Sequence, residues 1–327
     1  MEPNSNLFEN RIDLNEIKST IQQIREEARK ILVGQEQMLD LLITAILSDG
    51  HVLIEGVPGV AKTLTAKILS RIIAADFSRI QFTPDLMPSD ILGTNVYNLQ
   101  TSEFNFKQGP VFSNIVLIDE INRAPAKTQS ALFEVMEEKQ ATIDGKRYEM
   151  GFPFLVVATQ NPIEQEGTYR LPEAQLDRFL FKIEVNYPTM EEEVNILEGF
   201  HKQKSSLKLE EIRAILSPEQ IQRFRELVNN VEVDQQILRY IAQIIERTRN
   251  SGSLYLGASP RASLAILSSS KAYAAIQGRD FVTPDDIKQV AYPVLRHRII
   301  LTPEKEMEGA GTDKIIEEII NEVEVPR

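Results

Sequence analysis

The sequence contains no cysteine among its 327 residues. It can therefore form neither a disulfide scaffold nor a thiolate metal site, and this composition fits a reducing compartment. A chain of this length buries enough apolar surface to do without such crosslinks, and it suits two domains of ~100–200 residues each.

Basic charge is also scarce, because 36 Lys and Arg residues face 48 Asp and Glu residues, for a net charge of −12. An acidic protein repels polyanions, which argues against nucleic acid as a partner and favours proteins. No apolar run approaches the ~20 residues of a membrane span. Residues 1–6 lack the basic and apolar regions of a signal peptide. We therefore expect a soluble, cytoplasmic protein.

A glycine-rich turn with the sequence GVPGVAKT runs from Gly56 to Thr63. The apolar residues 51–55 before it predict a buried strand, and residues 64–69 after it predict a helix. Such a turn cradles the phosphates of a nucleotide, because backbone N–H groups and the helix N-terminus face the phosphate oxygens. Lys62 would reach the β and γ phosphates, and the Thr63 hydroxyl would ligate Mg²⁺.

One position of this turn departs from the usual pattern, which has glycine where this chain has Ala61. Alanine tolerates a helical backbone conformation, so the turn can stay intact if Ala61 is already the first residue of the helix. The alternative for the whole stretch is an ordinary strand-to-helix turn with a surface lysine.

Polar residues end two further predicted strands. Asp119 and Glu120 are the last residues of the strand predicted at 114–120. Beside a phosphate-binding turn, Asp119 would hold Mg²⁺ and Glu120 would orient the attacking water. Asn161 follows the strand predicted at 154–159 and would hydrogen-bond the γ-phosphate or the water. In isolation, Asn161 also fits a turn before proline.

Two arginines stand where an anionic transition state would need them. Arg178 lies at the end of a short predicted helix, and Arg261 lies at the start of a helix in the C-terminal region. An arginine given to a neighbouring subunit's site can contribute ~10³–10⁵ in rate. The alternative for each is a surface ion pair.

Short apolar strands alternate with helices up to residue 185, which predicts a parallel sheet covered on both faces. Two hairpins are predicted within this part, at 95–107 and at 141–150. The pattern is helical from Pro188 onward, with no convincing strand. We predict an α/β nucleotide-binding domain with N-terminal helices over 1–187 and an all-α domain over 188–327.

Together these motifs resemble those of AAA+ ATPases, and most closely the MoxR family, in the branch that includes magnesium-chelatase ATPase subunits and MCM helicases. The resemblance covers about Ile31 to Arg298. Five segments carry it: 56–63, 117–124, 158–162, 167–179 and 259–261. The implied fold is a parallel-sheet P-loop AAA+ core with β-hairpin inserts, followed by an all-α lid.

The resemblance implies ATP and Mg²⁺ as cofactors. The implied phosphate-binding residues are Gly56, Val57, Pro58, Gly59, Val60, Ala61, Lys62, Thr63 and Leu64. Val33, Gly34 and Gln35 would line the adenine pocket, and Thr63 and Asp119 would serve Mg²⁺. The implied catalytic residues are Glu120, Lys62, Asn161, Arg178 and Arg261.

The resemblance to this family also implies that Arg178 would reach the ATP of the adjacent subunit, with Arg170 and Arg123 as alternatives. Arg261 would touch the γ-phosphate from the lid. A site completed by a neighbour implies a homo-oligomeric ring, expected to be a hexamer. Loss of the γ-phosphate would release the lid contact and produce domain rotation.

The implied function is ATP hydrolysis coupled to remodelling client proteins or inserting a metal or cofactor into them, with von Willebrand factor A domain proteins among the clients. One alternative is a nucleic-acid-stimulated motor, which the acidic charge disfavours. Another is a nucleotide-gated scaffold, which Glu120 disfavours. The first hairpin's aromatic residues, Tyr97, Phe104 and Phe106, would be partner contacts if exposed and hairpin core if packed.

Overall fold

The computed structural model describes residues 13–57, 59–161, 169, 171–203 and 209–326. These residues form two compact units. The larger unit comprises residues 24–218, and the smaller comprises residues 13–23 together with 219–326. Helix α1, Asn15–Arg29, runs across the division.

The larger unit is built on a parallel sheet of five strands in the order β2-β5-β8-β1-β9. Its elements are α2 (Glu36–Leu47), β1 (His51–Gly56), α3 (Lys62–Ile72), β2 (Phe77–Gln81), α4 (Pro88–Leu92), β3 (Gly93–Asn98), β4 (Glu103–Gln108), β5 (Ile115–Asp119), α5 (Ala126–Glu138), β6 (Gln140–Ile143), β7 (Lys146–Glu149), β8 (Leu155–Gln160), α6 (Glu173–Leu176), β9 (Phe179–Val185) and α7 (Met190–Gln203). The predicted parallel α/β core is confirmed.

The central strands are apolar along their whole length because helices cover both faces of the sheet. Every residue of β5 is buried, and β8 is buried up to Thr159. Parallel strands place their carboxyl ends at one edge of the sheet. The residues that follow β1, β5 and β8 are therefore brought to the same edge.

The two predicted hairpins are present as the antiparallel pairs β3–β4 and β6–β7. They contact each other, since Phe106 packs on Tyr148 with ring centroids 4.2 Å apart and the Asn95 side-chain amide donates to the Asp144 carboxylate. Near the tip, Tyr97 and Phe104 stack on each other and remain 46% and 70% exposed. The base of the first hairpin is therefore packed, and its aromatic tip is exposed.

The smaller unit is mainly helical, as predicted. Besides the start of α1, it contains α8 (Pro218–Asn229), α9 (Gln235–Asn250), β10 (Leu254–Leu256), α10 (Pro260–Ile276), α11 (Pro284–Leu295), β11 (Ile300–Leu301), α12 (Pro303–Met307) and α13 (Thr312–Glu322). The antiparallel pair β10–β11 was not predicted. Strands of three and two residues are too short to produce a periodic pattern.

The predicted domain boundary at 187/188 does not coincide with the division between the units at residue 218. The change to helical pattern marks the end of the sheet, but the following residues still pack on the larger unit. The backbone N–H groups of Ile215 and Leu216 both donate to the Ile72 carbonyl, at 2.7 and 3.0 Å. Glu192 of α7 lies directly over Gly34.

None of the helices in the described part of the chain is both long and apolar enough to cross a lipid bilayer.

Candidate nucleotide-binding site

The glycine-rich turn joins β1 to α3, which begins at Lys62. Pro58 lies outside the described residues. Gly59 has a φ of 90°, and apart from its chain neighbours no described heavy atom lies within 4 Å of the position that a Cβ would take there. The turn thus leaves open space in front of the backbone, which is what a bound phosphate group requires.

Ala61 is the N-cap of α3, with φ 60° and ψ 17°. The condition that Ala61 is the first helical residue is therefore not met, because its backbone is left-handed and the helix starts one residue later. The left-handed conformation explains why glycine is usual here, since glycine adopts positive φ without steric cost. In this chain, Ala61 adopts the left-handed conformation despite the steric cost of its Cβ.

Lys62 lies within the turn, where its ammonium group donates to the Gly56 carbonyl at 2.5 Å. Burial lowers the pKa of Lys62, and the nearby carboxylates of Asp119, Glu120 and Glu55 oppose that shift. The structure therefore brings the predicted lysine and both predicted acids to one place at the edge of the sheet.

Asp119, the last residue of β5, is only 7% exposed. Its Oδ2 atom lies 2.5 Å from Nε of Arg79, and its Oδ1 atom accepts from the Thr159 hydroxyl at 3.2 Å. Two partners thus fix the orientation of this carboxylate.

Glu120 follows with φ 57° and ψ 54°, a left-handed conformation that is uncommon for a residue with a Cβ. Its Oε2 atom accepts from the Gln81 amide at 2.8 Å and lies 3.2 Å from Nε of Arg123. The side chain expected to orient water is therefore held by Gln81 and Arg123. Arg123, one of the two alternatives to Arg178 as the arginine that reaches the adjacent subunit, is ion-paired within its own chain.

Asn161 is the first residue after β8, beside the acids at the same edge. Residues 162–168 and Arg170 lie outside the described residues, so the predictions for Pro162 and Arg170 do too.

Arg178 lies between α6 and β9. It forms an ion pair with Glu137 near the end of α5, and it donates to the Phe133 carbonyl at 3.3 Å. Its Nε atom is buried without a hydrogen-bond partner among the described residues. Arg261 belongs to the smaller unit, where it is the second residue of α10 and exposed.

The three residues predicted to line an adenine pocket lie between α1 and α2. Val33 and Gly34 line a pocket with Glu192 and Asn195 of α7, and Gln35 is the N-cap of α2. A Cβ at Gly34 would meet the Glu192 carboxylate and displace that side chain, and the φ of 75° independently favours glycine at this position.

The residues present fit an ATP-Mg²⁺ ligand. The first N–H groups of α3 lack intrahelical acceptors, and the Ala61 side chain offers them no cap. Together with Lys62, these donors suit phosphate oxygens. The carboxylate of Asp119 and the hydroxyl of Thr63 supply the hard oxygen atoms that Mg²⁺ prefers.

Arg79, Gln81 and Thr159 contact the two acids, although sequence reasoning gave them no role. Arg79 and Gln81 lie on β2, next to β5, and Thr159 lies on β8, on its other side. The strand order is the signal that would have identified them, and it does not follow from local sequence patterns.

Comparison with known proteins identifies the family. Residues 51–181 match the profile of the ATPase family associated with various cellular activities (AAA), and residues 246–319 match the AAA lid domain. Chaperone MoxR1 of Mycobacterium tuberculosis is 44% identical over 317 residues, which cover 94% of this chain and 83% of that protein. Protein MoxR of Methylorubrum extorquens is 28% identical over 334 residues, 95% of each chain.

A crystal structure of a candidate ATPase from Cytophaga hutchinsonii superimposes with a TM-score of 0.89 and 43% identity, covering 96% of this chain and 97% of that one. These relatives confirm the family resemblance and the fold class predicted from the sequence. The chain belongs to the MoxR family of AAA ATPases.

Proposed function

We propose that this protein binds ATP with Mg²⁺ and hydrolyses it, and that hydrolysis drives the remodelling of client proteins. The observation that carries the proposal is the convergence of Lys62, Asp119 and Glu120 at the mouth of an open glycine-rich turn. A lysine, a metal-binding acid and a second acid are the groups that phosphoryl transfer to water requires.

The proposal assigns each group a task. The turn from Gly56 to Leu64 binds the phosphates, Thr63 and Asp119 hold Mg²⁺, and Glu120 orients the water. Bound Mg²⁺ neutralises charge on the phosphate oxygens. Asn161 contacts the γ-phosphate or the water from the adjacent strand.

The nucleobase is assigned to the pocket at Val33, Gly34 and Gln35. Arg261 of the lid contacts the γ-phosphate. Arg178 is assigned to the ATP of an adjacent subunit, which requires a homo-oligomeric ring, expected to be a hexamer. The Arg178–Glu137 pair within the chain must then open or rearrange at the subunit interface.

The chaperone-like part is supported by the name of the 44% identical relative, Chaperone MoxR1. The exposed tip of the first hairpin, with Tyr97, Phe104 and the 86% exposed Leu99, offers an apolar contact surface for a client. Client proteins with a von Willebrand factor A domain, and metal or cofactor insertion as the outcome, are the finer part of the proposal.

Glu120→Gln tests the hydrolytic core, because it keeps the side chain's size but removes the charge that polarises water. ATP binding should persist while hydrolysis falls at least ~100-fold. Glu138→Gln, an exposed change on α5, serves as the matched control and should hydrolyse ATP at the wild-type rate. Wild-type turnover by Glu120→Gln would refute the assignment of Glu120.

Mixed oligomers test the arginine. Arg178→Ala subunits and Lys62→Ala subunits should each be inactive alone. They should regain hydrolysis when mixed, because at some mixed interfaces the intact Lys62 of one subunit meets the intact Arg178 of the other. Mixed rings that are confirmed by mass spectrometry but stay inactive would rule out Arg178 acting between subunits.

Strong stimulation of the wild-type ATPase rate by DNA at physiological salt would instead favour a nucleic-acid motor.

A further inference from the structure

Thr159 lies on β8, the strand between β5 and β1, and is only 3% exposed. The parallel register pairs Leu117 with Val157 and Ile118 with Ala158. Continuing that register places Thr159 beside Asp119, with both side chains on the same face of the sheet. Thr159 therefore reaches the acidic end of β5 from the neighbouring strand.

The Thr159 hydroxyl contacts both acidic residues at once. The backbone N–H of Glu120 donates to its oxygen at 3.1 Å, and the hydroxyl donates to Oδ1 of Asp119 at 3.2 Å. A hydroxyl has one donor and two acceptor sites, so a single group can hold two consecutive residues. Few side chains of this size combine both capacities.

These two contacts act where the chain most needs support. Glu120 has a left-handed backbone that a residue with a Cβ adopts only when its surroundings hold it there. Asp119 is oriented from opposite sides, by Thr159 at Oδ1 and by Arg79 at Oδ2. Removal of the hydroxyl frees one side of the carboxylate and one constraint on the Glu120 backbone.

We propose that Thr159 is a positioning residue for ATP hydrolysis, which sets the orientation of both the Mg²⁺-binding acid and the water-orienting acid through one hydroxyl group. This inference rests on the proposed function, which gives Asp119 and Glu120 those tasks. Positioning matters because a displacement of about 1 Å at a reacting group can lower a rate by ~100-fold.

Thr159→Val tests the proposal, because valine keeps the β-branched shape and strand preference but lacks the hydroxyl. We expect kcat to fall about tenfold or more, KM for ATP to change less than about twofold, and half-maximal activity to require more Mg²⁺. Thr159→Ser restores the hydroxyl and should recover kcat to within about threefold of the wild type.

Thr44→Val is the matched control. Thr44 is also fully buried, and its hydroxyl donates at 2.7 Å to the Asp40 carbonyl within α2. Its loss should leave kcat, KM and the Mg²⁺ requirement unchanged. Loss of activity in this control equal to that of Thr159→Val would show that any buried hydroxyl matters, and would overturn the proposal.

A second measurement does not depend on turnover. In the nucleotide-free protein, the Glu120 amide should exchange with deuterium about tenfold faster in Thr159→Val than in the wild type or Thr159→Ser, because its acceptor is gone. Unchanged exchange and unchanged kcat in the valine variant would overturn the proposal, as would a loss of kcat that serine does not rescue.

The proposed function fails separately, if the wild-type protein itself does not hydrolyse ATP. Exchange at the Glu120 amide still decides whether Thr159 holds that residue. Should valine prevent folding, Thr159→Ser and Thr159→Ala are compared instead, with the same expectation that only the hydroxyl-bearing variant retains wild-type exchange and kcat.

Discussion

Replacing Ala61 with glycine should stabilise the protein, although glycine usually destabilises. Ala61 has φ 60° and ψ 17° at the N-cap of α3. A residue with a Cβ loses about 1–2 kcal/mol in the left-handed region, whereas glycine does not. Glycine in turn makes the unfolded chain more flexible, which costs about 0.4–1 kcal/mol. The net expectation is a gain of about 1 kcal/mol in the free energy of unfolding.

Gly59→Ala is the matched opposite change in the same turn. Gly59 has φ 90°, and no described heavy atom beyond its chain neighbours lies within 4 Å of the new methyl group. The substitution therefore adds conformational cost without a steric clash. We expect a net loss of about 1 kcal/mol in the free energy of unfolding.

Thermal unfolding of the nucleotide-free variants, followed by circular dichroism, measures both effects. In a unit of 150–250 residues, 1 kcal/mol shifts the midpoint by about 2–4 °C. Ala61→Gly should raise the midpoint of the larger unit by about 2–4 °C, and Gly59→Ala should lower it by a similar amount. A lower midpoint for Ala61→Gly, or an unchanged one for Gly59→Ala, would refute the left-handed geometry of this turn.

Three further changes test other parts of the structure. Burial lowers the pKa of Lys62 below its ordinary 10.5, so the folded protein binds fewer protons than the unfolded chain and its stability rises as pH increases toward that value. Lys62→Met should therefore be more stable than the wild type in urea at pH 7, lose this advantage near pH 10, and show no stabilisation by ATP; an advantage independent of pH would contradict the argument. Tyr240→Phe should keep or raise the free energy of unfolding by up to about 1 kcal/mol, because the Tyr240 hydroxyl is buried without a hydrogen-bond partner among the described residues; a loss in urea titration would reveal a partner. Arg279→Met should cost about 2–3 kcal/mol in the same titration, because it leaves the carboxylate of Asp286, which is 1% exposed, without its bidentate partner, and Arg279→Lys should recover only part of that loss.

Much of the fold could be predicted because the relevant patterns are local. Strand β1 and both hairpins lie within a few residues of their predicted positions. The pair β10–β11 was missed because such short strands carry no periodicity. The predicted boundary at 187/188 followed a change of pattern, whereas the division between the units depends on tertiary contacts that no local pattern contains.

The candidate site shows the same limit. Lys62, Asp119 and Glu120 could be placed together because parallel strands bring their carboxyl ends to one edge of the sheet. Asp119 ends β5, Glu120 follows it, and Lys62 follows the turn after β1. The left-handed backbone of Ala61 was not predicted, because it depends on the path that the turn takes between β1 and α3. The contacts of Arg79, Gln81 and Thr159 depend on which strands are neighbours, a property of the whole sheet.

The base and the tip of the β3–β4 hairpin differ in how freely their sequences can change. At the base, Phe106 packs against Tyr148 and Phe112, so a substitution there disturbs the connection to the ATPase core. The tip, with Leu99 and Phe104, is exposed and contributes little to folding. Under the proposed role of the tip in client binding, substitutions there would change which proteins bind while the nucleotide site keeps its geometry.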